Sequence, residues 1–192
     1  INPQFLTGLE ALAAPTIESQ RHDIGTDPLP EGAFDLIHAR LVLIHVPERE
    51  QALEKLVAAL RPGGWVVVED FDAPFTDQLF TTTDTQAAAA LRAMFAVQWR
   101  LLDAHGADTT WGRELHRRLR SHGLADVGME GRLTVWHGGS VGTRLYQANF
   151  RQIRAEAVQA GLITDAEIEG VLALLDDPDL VVSSPCMMSA WG

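Results

Sequence analysis

The sequence predicts an α/β fold, an open and mostly parallel sheet with flanking helices, and three observations carry that prediction. Candidate strands at Phe34–Ala39 and Trp65–Asp70 enclose a clear amphipathic helix, and parallel neighbours need such a crossover between them. Trp65-Val66-Val67-Val68-Glu69-Asp70 is almost continuously apolar and β-branched, the composition of a strand covered on both faces. Finally, 192 residues with 46% hydrophobic and 21% charged side chains fit one globular domain, neither disordered nor collagen-like.

The elements follow in order. Phe5, Leu6, Leu9 and Leu12 have helical spacing and stop at Pro15, and Thr16–His22 reads as a strand. Asp23 to Pro28 is rich in turn residues. Between Pro47 and Leu60, Leu53, Leu56, Val57 and Leu60 recur at i, i+3, i+4 and i+7 while Glu50, Glu54 and Lys55 take the other face. Pro47 suits a first helical position, and Arg61-Pro62-Gly63-Gly64 ends the helix. After Asp70 the pattern turns helical: residues 84–104, with Leu91, Met94, Phe95 and Leu102 on one face, then 112–122 closed by Gly123. Residues 73–123 are therefore expected to form an insertion. Residues 125–136 read as a strand, 141–160 as a helix, and Thr164-Asp165-Ala166-Glu167 as a capping box opening a helix through Leu175. A strand over 180–190 closes the chain. The additional helices of 141–176 are expected to pack on the sheet, within a single domain spanning 1–192.

Composition also narrows function. Fifteen basic against 26 acidic residues give a formal charge of -11, a field that repels phosphate backbones, so nucleic acid is not an expected partner. No stretch of 18 apolar residues and no signal-peptide pattern occurs, so neither membrane nor export is expected and the default compartment is the cytoplasm. The lone Cys186 makes no internal disulfide, and no zinc-type spacing is present, so no metal is expected.

Open α/β sheets bind ligands beyond the carboxyl ends of their strands. The residues at those places are Asp23 and Ile24, Ala39 and Arg40, and Glu69 to Asp72. An acid there can accept from an exocyclic amine or a ribose hydroxyl; equally, Asp23 can bond its own turn backbone. Glu69, Asp70 and Asp72 form an acidic group that reads either as a site for a metal or amine or as solvated loop acids.

The run Phe34-Asp35-Leu36-Ile37-His38-Ala39-Arg40-Leu41-Val42-Leu43-Ile44-His45-Val46-Pro47, the helix through Leu60, Arg61-Pro62-Gly63-Gly64 and the strand ending Glu69-Asp70 resemble the second half of a class I S-adenosylmethionine-dependent methyltransferase. The ending Ser189-Ala190-Trp191-Gly192 resembles the last strand of the small-molecule branch that includes ubiquinone/menaquinone methyltransferases. The resemblance covers residues 1 to about 72 and the C-terminus. It implies a Rossmann-like sheet, S-adenosylmethionine as cofactor, a small-molecule acceptor and helices over the reacting methyl as a lid.

Family members begin with a strand and glycine-rich turn, then a second strand ending in an acid. Ile1-Asn2-Pro3 resembles the residues directly after that acid, so the first strands are expected to be missing and the functional polypeptide to be longer. By the resemblance, Ile1 packs on adenine, Asn2 lies near the ribose, Asp23 accepts from the adenine amine, the Ile24 N–H meets the ring, and Ala39 and Arg40 flank the methionine and its sulfonium. The alternatives are core packing for Ile1 and a surface ion pair for Arg40.

His45, five residues past Arg40, is a candidate base because an imidazole takes a proton near neutral pH; helix capping or loop packing is the alternative. His38 reads as a hydrogen-bonded core histidine. His137 is a second base or substrate contact, and Met94, Phe95, Trp99, Trp111 and Trp136 could line an apolar acceptor pocket or simply form core. The expected reaction is methyl transfer to an O, N or C nucleophile. A nicotinamide-dependent oxidoreductase is disfavoured because the only tyrosine, Tyr146, and the only lysine, Lys55, form no Tyr-x-x-x-Lys pair. A non-catalytic methyltransferase-like scaffold or dimerisation module stays open, as does a homodimer.

Overall fold

The structure, a computed structural model, describes residues 8, 16–76 and 85–192. Strand β1 (Phe34–Arg40) leads through a 3-10 turn (Leu43–His45) to helix α1 (Arg49–Ala58) and strand β2 (Leu60–Asp72). A helical turn α2 (Ala73–Thr76), long helix α3 (Thr85–Ala104) and helix α4 (Trp111–Ser121) precede β3 (Gly128–Arg132) and β4 (Val135–His137). Helices α5 (Val141–Gln159) and α6 (Asp165–Leu174) and strands β5 (Val181–Ser183) and β6 (Cys186–Trp191) complete the order. The main sheet runs β1-β2-β6-β3, with β1 and β2 parallel and β6 antiparallel to both its neighbours. Three of its four strands thus point one way, and only β6 is reversed.

Two cores organise the chain. Along β2, Val66, Val68, Asp70 and Asp72 alternate onto one face, where Leu53 and Leu56 of α1 and Trp111, Leu115 and Leu119 of α4 cover them. Gly112 makes this packing possible: a Cβ there would lie 2.7 Å from the Asp70 and Phe71 backbone, so α4 crosses β2 almost at backbone contact. The second core joins α3, α5 and α6 through Leu91, Phe95, Tyr146, Phe150, Ile168 and Leu172. Phe95 meets Tyr146 edge-on at 4.8 Å between ring centroids, a favoured aromatic geometry. The capping box of Thr164 and Glu167 opens α6 as the sequence predicts.

Several expectations need correction. Thr16–His22 is not a strand: its one large apolar residue, Ile17, is exposed, and a strand requires a ladder partner. The run Trp65–Asp70 is covered on one face only among the described residues, with Trp65 44% exposed. Residues 61–64, expected as the turn after the helix, lie within β2, where the register slips so that Phe34 faces Leu60 and Leu36 faces Trp65. Gly63, at φ +80, accommodates that bulge. The single strands expected at 125–136 and 180–190 are each broken. Pro185 cannot donate to a ladder, so the ribbon turns a corner opposite Thr134: β3 and β6 stay in the main sheet while β4 and β5 form a second one. Within the expected insertion of 73–123, α4 belongs to the sheet core, and the helices over the strand ends are α3 and, from beyond the insertion, α5. The helix expected at Phe5–Leu12 falls, except for Gly8, outside the described residues.

Candidate functional site

Beyond the carboxyl ends of β1 and β2 the two cores part and leave a largely apolar cleft of about 300 Å³. The sheet side contributes Leu41, Ile44, His45, Phe71 and Pro185, and α3 and α5 contribute Gln98, Trp99, Leu102, Tyr146 and Asn149 among others. This is where the crevice rule for open sheets places a ligand. At its floor, Leu41 has φ +54, a left-handed conformation that costs a branched residue energy and turns the chain sharply out of β1.

The turn that carries His45 is held from several directions. Asp108 N–H donates to Ile44 O at 2.9 Å, and Arg49 reaches Leu43 O through Nε and Gly106 O through Nη2. Beneath it lies Asp70, fully buried. Its carboxylate faces the N–H groups of Ile44 and Val42 and the charge of Arg49, but neither oxygen makes a hydrogen bond of full geometry to a described residue. Burial outweighs those attractions and pushes Asp70 up to about 7. His45 itself is exposed on one side, while partial desolvation of its ring holds it below the ordinary histidine value. The imidazole is therefore neutral and able to accept a proton at neutral pH.

A second depression, of about 620 Å³, lies on the other side of the same turn, between Asp23 and Ile24 and the side chains of Val42 and Val46. Asp23 Oδ1 accepts from Gly25 N–H at 2.9 Å, the local turn bond anticipated as the alternative reading, and its other oxygen makes no hydrogen bond to a described residue. Apolar Ile24, Val42 and Val46 beside an available carboxylate oxygen fit the faces and the exocyclic amine of adenine.

The remaining predicted residues separate. Arg40 projects onto the uncovered sheet face and pairs with Glu69 at 3.3 Å, while Ala39 is buried under α1 and α4. Glu69 also accepts from Ser189 Oγ at 2.6 Å and bonds His38 Nε2 at 2.9 Å; these contacts, that of Ser189 foremost, hold its carboxyl below the usual range. His38 is thus hydrogen-bonded as expected, but on an exposed face and not in the core. The acidic group Glu69, Asp70 and Asp72 does not converge: Glu69 takes one face, Asp70 and Asp72 the other, and Arg113 grips Asp72 with both Nε (2.9 Å) and Nη2 (2.6 Å). Met94 is fully buried in the second core, Trp111 in the first, and neither borders the cleft. Trp99 lines the cleft; Trp136 lines a separate hollow with Arg40 and Glu69, and His137 is exposed. Ile1 and Asn2 lie outside the described residues.

Sequence reasoning passed over Gln98 and the backbone of Leu41. For Gln98 a signal existed: it occupies the buried stripe Leu91, Phe95, Gln98, Leu101 of α3, where an uncharged polar residue breaks the apolar pattern. No helix among the described residues is long and apolar enough to cross a membrane.

Comparison with known proteins places this architecture. Residues 7–128 match the profile of the "Methyltransferase domain" family. The methyltransferase str3 of Strobilurus tenacellus is 30% identical over 104 residues, 54% of this chain and 36% of its own length. The ubiquinone/menaquinone biosynthesis C-methyltransferase UbiE of Pectobacterium carotovorum is 30% identical over 95 residues, 50% of this chain and 35% of its own. The chain thus spans about a third of the length of these curated relatives. In fold it is similar to the YcgJ protein of Bacillus subtilis, with TM-score 0.56 at 11% identity over 97% of this chain and 75% of that one. With the parallel pair β1–β2, the reversed β6 and the cleft at the strand ends, the match shows that the chain belongs to the methyltransferase-domain family, on the Rossmann-like class I fold of S-adenosylmethionine-dependent enzymes.

Proposed function

We propose that this chain forms the acceptor-side half of an enzyme that moves a methyl group from S-adenosylmethionine to an uncharged small molecule. The observation that carries the proposal is the pairing of two cavities across one turn, a largely apolar cleft with His45 at its mouth and an open depression with room for adenine that has Asp23 and Ile24 on its wall. Bound S-adenosylmethionine would supply an electrophilic methyl carbon. Asp23 would accept from the adenine amine while Ile24 and Val42 flank the ring, and the backbone of Ala39 and Arg40, at the end of β1, would border the methionine portion.

The chain's own residues then have three tasks. Leu41, Ile44 and Phe71 position the acceptor against the strand ends and exclude water, and alignment of this kind provides much of the acceleration in a displacement. His45, neutral at working pH, takes the proton of a hydroxyl or amine nucleophile, so that the atom attacking the methyl carbon carries a free pair. The bonds of Asp108 and Arg49 to the turn fix where that imidazole sits.

The test uses isothermal titration with S-adenosylhomocysteine on the 192-residue chain and on a polypeptide that supplies a glycine-rich strand and turn ahead of Ile1. Binding by the longer form, with His45→Ala lowering turnover about a hundredfold or more at unchanged cofactor affinity, is the expected result. Binding by neither form would favour a non-catalytic scaffold, and unchanged turnover in His45→Ala would remove that residue from the mechanism.

A further inference from the structure

A fully buried carboxyl lies beneath the turn that carries His45 and has no part in the steps above. Asp70 is 0% exposed on the covered face of β2, and the N–H groups of Val42 and Ile44 approach it from the turn. No carbonyl of a described residue accepts from either N–H, so the Asp70 carboxyl is the acceptor within their reach. Stability does not account for the residue: a carboxylate is costly to bury, and a neutral side chain would fill the same place at lower cost. The other side of the turn is held as well. Arg49, whose charge faces Asp70, reaches Leu43 O through Nε at 3.4 Å and Gly106 O through Nη2, and Asp108 N–H holds Ile44 O at 2.9 Å. Residues 42–45 are thus gripped by their carbonyls on one side and offered an acceptor for their N–H groups on the other.

The protonation state of Asp70 decides whether that second grip closes. An ionised carboxylate only accepts and takes both N–H groups in charge-assisted bonds; a protonated one carries a hydrogen on one oxygen and holds them weakly. The other charged groups on the elements packed around it are engaged elsewhere: Asp72 with Arg113, Glu50 with Arg118 and His122, and Asp108 with Thr110. Burial and Arg49 therefore set the field at Asp70. His45 receives no such field. Burial of its ring alone shifts the imidazole, so Asp70 reaches it through the backbone of the turn and not by charge. Resting on the reading of His45 as the base, we infer that Asp70 is its positioning residue. Ionised, Asp70 draws in the N–H groups of Val42 and Ile44 and locks the imidazole at the edge of the cleft; protonated, it releases the turn.

The first arm of the test uses the 192-residue chain without cofactor. NMR titration follows the Asp70 carboxyl carbon, the Val42 and Ile44 amide protons and the His45 ring, with the Asp70 and His45 signals identified by their loss in Asp70→Asn and His45→Ala. The carboxyl should titrate near neutrality, and both amide protons should move downfield with the same midpoint. The His45 ring should show a second inflection there besides its own. Asp70→Asn keeps the shape without the charge and should abolish the amide shifts and the second inflection. Arg49→Gln, which decides the matter should that variant fail to fold, removes the facing charge and should move the carboxyl and amide midpoints upward together. In the longer polypeptide, Asp70→Asn should lower kcat about tenfold above neutral pH at unchanged KM for the cofactor, and flatten the rise of kcat across the carboxyl's titration. A carboxyl that keeps one protonation state through neutrality, amide protons that do not follow it, or a second inflection or pH profile that survives Asp70→Asn would overturn the inference. The two readings fail separately. Coupled titrations of Asp70, the turn and His45 without cofactor binding would sink only the transferase proposal; turnover that depends on His45 but not on Asp70 would sink only the positioning role.

Discussion

Asp70 shows how much one buried group can govern. Its pKa rises from 3.8 to about 7 because burial disfavours the charged form more than Val42, Ile44 and Arg49 favour it. Between those two values the folded protein keeps a proton that the unfolded chain has released, so stability falls as pH rises from about 4 to about 7 and is flat above. The total is on the order of a few kcal/mol. Asp70→Asn removes the titration while keeping the shape, so urea midpoints should show the variant gaining on the parent steadily from pH 4 to pH 7; parallel pH curves for the two proteins would show that Asp70 does not titrate in this way. The residue was visible in the sequence as one of three acids after a strand, but its burial was not. Adjacent strand residues alternate faces, and which face a helix covers depends on α1 and α4, which arrive from other parts of the chain.

Elements were legible where local chemistry suffices and illegible where partners decide. The apolar spacing of α1, the long α3 and the capping box of α6 are written locally, and each forms within two residues of its expected bounds. Thr164→Ala should therefore cost about 1 kcal/mol, read as a lower thermal midpoint, because the N–H of Glu167 loses its acceptor. The corner at Pro185 and the missing strand at Thr16–His22 depend on ladder partners that no local pattern names. The tight crossing of α4 over β2 was equally hidden, since a glycine early in a helix reads as a weakness until the opposing backbone is seen. Gly112→Ala would bring a methyl to 2.7 Å from the Asp70 and Phe71 backbone, and should destabilise by roughly 1–3 kcal/mol as α4 moves outward. That displacement also shifts the segment after Asp108 whose N–H anchors Ile44, so acceptor binding should weaken along with the melting temperature.

At the scale of the whole molecule, the described residues cover the sheet on one face and leave the other open. The open face is not uniform: toward the carboxyl ends of β1 and β2 it carries the His38, Arg40, Glu69 and Ser189 cluster, and toward the opposite end it exposes Leu36 (62%) beside Trp65 (44%). The outer side of β1 has no ladder neighbour among the described residues, and an unpaired edge beside exposed apolar side chains is a template for association. The formal charge of -11 opposes that association by keeping copies apart, and at about 0.15 M ionic strength the repulsion between exposed charges is screened beyond roughly 8 Å. Sedimentation velocity on the chain should therefore show self-association that grows with added salt, the reverse of an interaction driven by opposite charges. Leu36→Asp places a carboxylate in the apolar patch next to the free edge and raises the net negative charge, so it should shift association to higher protein and salt concentrations while leaving the Asp23 and His45 cavities intact. Association that weakens with salt, or that Leu36→Asp leaves untouched, would show that the open face of β1 and β2 is not where copies meet.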